Sequence, residues 1–117
     1  MNIKLKLTAC FSILFITSNS FAADVAKGKT SFGERCASCH GPMGEGDGPI
    51  AAALPPESKP KNLQTGGFKF ATDAAKFKEL MVKGGVGVGL NPLMPGAPGA
   101  TEADIENLYA FVQSLKK

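Results

Sequence analysis

Two cysteines with two residues between them, followed directly by a histidine, are the residues of this 117-residue chain with the clearest chemical potential. They belong to the pentapeptide Cys36-Ala37-Ser38-Cys39-His40, a C-x-x-C-H pattern that in exported proteins is typical of covalent haem attachment. Two thiols at this spacing can reach two vinyl groups on one edge of a porphyrin and form thioethers. His40 is then carried beneath the ring, where a nitrogen can bind iron axially. The pattern predicts one haem c, attached through Cys36 and Cys39 and ligated by His40.

Three other uses of these thiols fit the sequence less well. A thioredoxin-like redox pair would follow a strand in a βαβ unit, and no strand precedes Cys36 in the sequence pattern. A disulfide between Cys36 and Cys39 would constrain almost no chain. A zinc site needs four ligands, and after residue 22 the chain offers two cysteines and one histidine, so a carboxylate would have to complete the set.

A methionine is predicted as the second axial ligand, because His40 is the only histidine in the chain. Methionine is the usual partner of histidine in electron-transfer haems and raises their reduction potential. Met43 lies too close to His40 in sequence to reach the opposite face of the ring. Met81 falls on the apolar face of a predicted helix, where it can simply fill the core. Met94, in a loop stiffened by prolines on both sides, is favoured; a Met94 that packs on the haem without coordination would leave the iron five-coordinate.

An all-α fold of three short helices, separated by long Gly/Pro-rich loops, is predicted to position these residues. The apolar spacing indicates that Gly28 and Phe32 share a helix face with Cys36. Asp104, three residues after Thr101, makes a weak capping box. The predicted helices run from Asp24 to about Cys36, from Thr72 or Asp73 to Gly84-Gly85, and from Thr101 to the final lysines, with one short helical turn within Ile50–Leu54.

A glycine-rich run, Gly84–Gly89, precedes the Met94 loop. A phosphate-binding loop must follow a strand and open a helix, whereas this run follows a predicted helix and leads into Asn91-Pro92. We therefore interpret the run as flexible chain that loosens the Met94 loop.

The N-terminal segment has the layout of a secretory signal peptide over residues 1–22. Two lysines precede an apolar run from Leu7 to Ile16, and Ser20-Phe21-Ala22 offers a cleavage site. The apolar run is shorter than the roughly 20 residues of a membrane-spanning helix, although an uncleaved anchor is the alternative. Cys10 lies near the start of the run, which favours an apolar filler over a lipid-attachment cysteine. The segment predicts export to the periplasm and one mature domain, residues 23–117.

The charge of that domain is nearly balanced. Two of the thirteen basic residues and none of the ten acidic residues precede Ala23, which leaves a net charge of about +1. Nucleic-acid binding, which needs clustered positive charge, is therefore not expected. Lys59, Lys61, Lys69, Lys76, Lys78 and Lys83 form a mildly basic stretch. We interpret them as solvated surface lysines; if they cluster, they would steer an acidic partner.

Taken together, the motifs resemble the class I c-type cytochromes, specifically the small bacterial periplasmic proteins with one haem. The likeness covers nearly all of residues 23–117. In that family the first and last helices cross with a glycine against an aromatic ring, which matches Gly28 and Phe111. The backbone carbonyl of Pro49 matches the family's acceptor for the proximal histidine. The motifs are Gly28…Phe32…Cys36-Ala37-Ser38-Cys39-His40-Gly41, Gly44-Glu45-Gly46-Asp47-Gly48-Pro49, Lys59-Pro60…Asn62-Leu63, Pro92-Leu93-Met94-Pro95 and Leu108-Tyr109-Ala110-Phe111-Val112.

The resemblance implies a monomeric one-electron carrier rather than an enzyme, either free or as the haem subunit of a larger oxidoreductase. Its expected partners are periplasmic redox proteins or a membrane oxidoreductase that dock transiently, with no stable membrane insertion after signal cleavage. The alternative is a gas- or ligand-binding haem protein with an open sixth coordination position. A non-haem thiol protein is the remaining possibility.

Overall fold

A computed structural model describes residues 22–66 and 68–117. This part of the chain consists of helices, turns and loops without a β-strand, so the all-α prediction is confirmed. The four α-helices are α1 (Val25–Arg35), α2 (Ala37–His40), α3 (Ala74–Gly87) and α4 (Glu102–Ser114), with 3₁₀ turns at Ala51–Ala53 and Pro56–Ser58. Within these ranges no helix has the length and apolarity needed to cross a membrane. The predicted signal peptide, including Cys10, lies outside the described residues apart from Ala22.

The three long helices begin at the capping residues that the sequence predicts. The carboxylates of Asp24 and Asp73 each accept a hydrogen bond from the backbone N–H three residues on, at 3.1 and 2.9 Å. Thr101 and Asp104 form a reciprocal capping box, with each side chain accepting from the other residue's backbone N–H. These bonds satisfy amide groups that a helix otherwise leaves without partners in its first turn.

The most extensive helix contact is the crossing of α1 and α4, and a glycine makes it possible. A Cβ atom on Gly28 would lie 2.0 Å from the carbonyl oxygen of Asn107 and 2.9 Å from Cβ of Phe111. The rings of Phe32 and Phe111 pack beside this point, with centroids 5.1 Å apart. The crossing matches the geometry implied by the family resemblance. The buried core around it consists of Phe32, Phe77, Leu80, Met81, Ala97, Ile105, Leu108, Phe111, Val112 and Leu115.

Helix α1 ends where the sequence predicts, whereas the break at Cys36 and the extension of α3 differ from the prediction. Helix α1 stops at Arg35, because Cys36 leaves helical geometry (φ −120°, ψ −30°) before the chain re-enters a helix as α2. Cys36 therefore precedes a separate short helix that holds the rest of the C-x-x-C-H motif, which makes four α-helices where three are predicted. Helix α3 extends to Gly87, although Gly84 (φ 68°, ψ 178°) interrupts its regular geometry near the predicted end.

Candidate functional site

A largely apolar cavity lies among helices α1, α3 and α4 and the loops between them. The empty space between its walls, counting the part open to solvent, is about 800 Å³. Ten aromatic and aliphatic residues line it: Phe32, Leu63, Phe68, Phe70, Ala71, Phe77, Leu80, Leu90, Leu108 and Val112. The remaining lining residues are Cys36, His40, Lys61, Lys69, Met81 and Met94. An enclosure of this kind suits a large flat apolar group that carries a metal at its centre.

Helix α2 brings part of the C-x-x-C-H motif to the cavity wall. Cys36, at the N-cap of α2, and His40, at its last position, both line the cavity. The backbone N–H of His40 donates to the carbonyl of Cys36 at 2.9 Å, which fixes this register. Cys39 is half-buried and is not part of the lining. Both thiols are free, so neither is committed to a disulfide in this structure.

The imidazole of His40 is oriented by a backbone carbonyl. Its Nδ1 lies 3.2 Å from the carbonyl oxygen of Lys61. Because a carbonyl oxygen only accepts, this bond assigns the ring proton to Nδ1 and leaves the lone pair of Nε2 available to a metal. A hydrogen bond of this type holds the ring in place and raises the basicity of the ligating nitrogen.

The acceptor is Lys61 rather than Pro49, which the family resemblance implies for this role. Pro49 is exposed. The backbone N–H groups of the two residues flanking it donate to carbonyls of α2, at 3.0 and 3.1 Å. The segment around Pro49 is therefore held against the backbone of the helix, while the chain returns to the imidazole later, at residue 61. Sequence reasoning had no signal for Lys61, because any residue type can supply a backbone carbonyl.

Burial sets the protonation of both groups at the wall of the cavity. Desolvation raises the pKa of the Cys36 thiol to about 11, against a smaller opposing effect of the Arg35 charge. Desolvation also lowers the pKa of His40, and the bond to the Lys61 carbonyl opposes this only in part. At neutral pH the imidazole is therefore uncharged, which is the form that binds a metal.

The three methionines of the described chain lie in different environments. Met43 is 51 % exposed and lies outside the cavity lining. Met81 lines the cavity from helix α3 but is only 3 % exposed and belongs to the buried core. Met94 lines it from a loop and is half-buried. Two methionines are thus placed at the cavity, one in the core and one on a loop.

The first two glycines of the run before the Met94 loop, Gly84 and Gly85, are packed rather than loose, which corrects the interpretation of these two residues as a source of flexibility. The backbone N–H of Gly85 donates to the carbonyl of Met94 at 2.8 Å. A Cβ atom on Gly85 would lie 2.0 Å from the carbonyl oxygen of Asn91. Residues 84 and 85 are both buried, so their lack of side chains lets the loop lie directly on the end of α3.

The six lysines between residues 59 and 83 have different surroundings. Lys78 pairs with Glu102, and Lys83 pairs with Glu79 at 2.8 Å. The Lys59 ammonium donates to carbonyls of the first 3₁₀ turn, and Lys76 lies over the ring of Phe70. Lys61 and Lys69 are the two that line the cavity. The basic stretch is therefore divided among several local partners.

The residues present fit a haem. The two thiols, a neutral imidazole with one committed nitrogen and two thioether side chains accompany a cavity of aromatic and aliphatic walls. Within residues 22–66 and 68–117 no three His, Cys, Asp or Glu side chains gather into a metal-binding group. One imidazole and two methionine sulfurs at the cavity suit iron in a porphyrin better than a bare zinc ion.

Comparison with known proteins shows similarity to c-type cytochromes. The sequence model described as "Cytochrome c" matches residues 25–116. A similar curated protein is cytochrome c-554(547) of Halothiobacillus neapolitanus, 38 % identical over 98 residues. That alignment covers 81 % of this chain and the whole of the relative.

A similar solved structure is the reducing HAO-like protein complex of Kuenenia stuttgartiensis. The superposition has a TM-score of 0.67 and 29 % sequence identity, and it covers 80 % of this chain. The present chain spans 44 % of that neighbour's chain.

Proposed function

Because the chain belongs to the cytochrome c family, we propose that it is a periplasmic one-electron carrier whose haem is attached to Cys36 and Cys39 and ligated by His40 and Met94. Family membership brings covalently bound haem c with it, so the chain is a haem-based electron carrier. The family role is electron transfer rather than catalysis. When bound, haem c supplies an iron that gains and loses a single electron.

The orientation of His40 is the observation that carries this proposal. Its Nδ1 is committed to the Lys61 carbonyl at 3.2 Å, so Nε2 is left to bind iron. Cys36 lines the same cavity from the junction between α1 and α2, and Cys39 follows it at the spacing that two thioethers require. A histidine with a fixed ring keeps the same position in both oxidation states, and a small structural change on electron transfer favours fast exchange.

The cavity walls would tune the site. Phe32, Phe77 and Leu108 are buried core residues that also line the cavity, so they exclude water from the space the porphyrin would fill. A low local dielectric disfavours additional charge. The walls therefore favour the less charged ferrous state and raise the reduction potential, in the same direction as a methionine ligand.

Met94 is the better candidate for the sixth ligand. The backbone carbonyl of Met81 accepts a hydrogen bond from the N–H of Ala97 at 2.8 Å. The side chain of Met81 extends from α3 and is packed in the hydrophobic core. A core side chain is needed to fill space, whereas the half-buried Met94 is carried by a loop held in place at its backbone.

A matched pair of variants tests the assignment. In Met94→Ala we expect the helical circular dichroism to be retained, the methionine-to-iron band at the red end of the ferric spectrum to vanish, and the potential to fall markedly. In Met81→Ala we expect the band to remain and the free energy of unfolding to fall by about 2–5 kcal/mol. An unchanged potential in Met94→Ala would transfer the role to Met81 or to no methionine.

Two measurements test attachment and export. The intact mass of the mature protein from a strain that attaches haem should equal residues 23–117 plus one haem, and the N-terminal sequence should begin at Ala23. A mass without porphyrin, or a colourless preparation, would favour the non-haem thiol protein. Rapid carbon monoxide binding by the native ferrous protein, with its fold retained, would favour the gas-binding alternative with an open sixth position.

We propose that the carrier is monomeric and docks transiently with periplasmic redox proteins or a membrane oxidoreductase. The similar solved structure is a reducing HAO-like protein complex, which supports a role as the haem subunit of a larger assembly as a second form of the same function. Gentle purification from the native periplasm, with size measured and spectra recorded in both oxidation states, distinguishes a free carrier from a subunit.

A further inference from the structure

We infer that Asn91 is a positioning residue that keeps the Met94 loop (residues 89–97) closed over the cavity. The inference rests on the proposed ligation by Met94 and deepens it, because it identifies the side chain that holds the ligand loop in place. Asn91 does not line the cavity. Its effect would pass through the backbone of the loop and through a neighbouring segment.

The side chain of Asn91 is bonded at both ends. Its Oδ1 accepts from the backbone N–H of Leu93 at 2.8 Å. Its Nδ2 donates to Oγ of Ser58 at 2.8 Å, in a part-buried contact, and lies 3.4 Å from the carbonyl of Glu57. The amide therefore closes a turn within the loop and ties that turn to the 3₁₀ helix at Pro56–Ser58.

The backbone of Asn91 makes two further contacts. Its carbonyl accepts from the N–H of Met94 at 3.1 Å, which completes the turn that the side chain begins. The oxygen of the same carbonyl lies only 2.0 Å from the position that a Cβ atom of residue 85 would take, so it packs closely against Gly85. Residue 91 is thus held between the end of α3 and the Pro56–Ser58 turn, and Met94 is positioned three residues later.

The segment that is bonded to Asn91 through Ser58 also contains Lys61, whose carbonyl is bonded to His40. Residues 48–61, which we term the strap, are bonded to α2 at their beginning through the N–H groups of residues 48 and 50. Within the strap, the Lys59 ammonium donates to the carbonyls of Ala51 and Ala52. At its end the Lys61 carbonyl holds His40. Asn91 therefore links the loop of one proposed ligand to the segment that orients the other.

A loop held in this way sets how often the sixth coordination position is open. An external ligand could bind the iron only in molecules whose Met94 loop has moved away from the sixth position. The apparent affinity of that ligand is therefore proportional to the fraction of molecules with an open loop. The loss of a part-buried hydrogen-bonded amide should raise that fraction by about tenfold, which corresponds to about 1.4 kcal/mol.

The experiment is a titration of the ferric holoprotein with imidazole. Binding is monitored through the loss of the methionine-to-iron band at the red end of the spectrum. We expect Asn91→Ala to bind imidazole about tenfold more tightly than the unmodified protein, with helical circular dichroism unchanged. Ser58→Ala should shift the affinity in the same direction and by less, because Nδ2 retains the Glu57 carbonyl. The double variant should show less than the sum of the two effects, since the residues are in contact.

Asn107→Ala is the matched control. Like Asn91, Asn107 lies outside the cavity lining, and its Oδ1 accepts from a backbone N–H, that of Asp24 at 2.7 Å. This bond ties the start of α1 to α4 and does not involve the Met94 loop. We expect this variant to lose stability with its imidazole affinity unchanged. An equal gain in affinity for Asn107→Ala and Asn91→Ala would assign the effect to general loosening and overturn the inference.

The remaining outcomes separate this inference from the proposed function. If Met94→Ala loses the band while Asn91→Ala binds imidazole like the unmodified protein, the inference fails and ligation by Met94 stands. If Met94→Ala keeps the band, the ligand assignment fails and the inference fails with it. Should Asn91→Ala give no holoprotein, Ser58→Ala decides the question, and an unchanged affinity in that variant refutes the link to the strap.

Discussion

His40 and Met94 line the same cavity, but the hydrogen bonds that hold them join residues at different separations along the sequence. The backbone of His40 bonds to the carbonyl of Cys36, four residues earlier, and its ring to Lys61, 21 residues later. The backbone of Met94 bonds to Gly85 in α3, and its loop is tied to residue 58 through Asn91, 33 residues away. The His40 region is thus anchored by a short helix, and the Met94 region by a local turn at Asn91 together with tertiary contacts to α3 and residue 58.

This difference separates two kinds of failure. Cys39 and His40 lie in α2 and Cys36 is its N-cap, so the loss of one of these three proposed haem-binding residues should remove the group around which the walls pack. The Met94 loop is held by several separate bonds to α3 and to the Pro56–Ser58 turn, so the loss of one bond should release the loop and leave the rest of the fold intact. We therefore expect damage to the His40 region to be all-or-none and damage to the Met94 region to be graded.

The largest effect is expected for Cys36→Ala or His40→Ala. The domain is small and has no tryptophan, so the side chains alone provide little buried apolar surface. Without the haem, the apolar cavity would be unfilled and much of the core would be missing. We expect largely unfolded exported chain, measured as loss of helical circular dichroism and of absorbance from the haem. Native-like helix content in a haem-free variant would contradict the all-or-none behaviour of this region.

A smaller, local effect is expected for Gly85→Ala. The new Cβ would clash with the backbone carbonyl of Asn91, so the loop must move away from α3, at a cost of about 1–3 kcal/mol in unfolding free energy. We expect the red-end band to be lost while helical circular dichroism at low temperature is kept. Thermal unfolding and the ferric spectrum measure the two quantities separately.

Gly33→Ala is the control for that substitution. Gly33 is exposed within α1, and a Cβ there meets nothing within 4 Å. We expect unfolding free energy to rise by about 0.5–1 kcal/mol, because alanine is the better helix former, with an unchanged spectrum. A loss of the band in both variants would deny the specific role of the close approach at residue 85.

A more modest effect is expected on the rate of electron transfer to an acidic partner. Lys61 and Lys69 line the cavity, whereas Lys83 is already paired with Glu79. We expect the rate to fall roughly threefold as ionic strength rises from about 0.01 to 0.15 M, since the Debye length shortens from about 30 to 8 Å. Stopped-flow kinetics should show a weaker salt dependence in Lys69→Gln than in Lys83→Gln. A flat dependence in the unmodified protein would exclude electrostatic steering.

The smallest effect is expected at the start of α4. Hydrogen bonds from Thr101 lower the pKa of Asp104, so the folded state favours the ionised carboxylate. The stability that this bond contributes is complete above the ordinary pKa of the carboxyl group and is lost as the pH falls through the lowered value. Amide hydrogen exchange in the first turn of α4 should accelerate on acidification. In Asp104→Asn this acceleration should be smaller, and equal acceleration would assign it to other groups.

Local patterns determined much of this protein in advance. The helix starts at Asp24, Asp73 and Thr101 follow from side chains that bond to amides three residues on, and such bonds are readable from sequence. The C-x-x-C-H motif predicts covalent haem through the fixed spacing of five consecutive residues, and family membership agrees with it. Gly28 and Phe111 were placed at the helix crossing by resemblance, and the structure has them there.

The tertiary structure decided the features that depend on residues distant in sequence. The acceptor for His40 is the carbonyl of Lys61, and a carbonyl has no residue-type signature. The glycines at 84 and 85, read from sequence as flexible chain, are buried where the Met94 loop crosses α3. Asn91 precedes a proline, which by itself indicates only a turn; its bond to Ser58 exists because the fold brings together two segments that are 33 residues apart. Sequence encodes short-range bonds directly, whereas contacts across long loops exist only once the core has fixed where each loop runs.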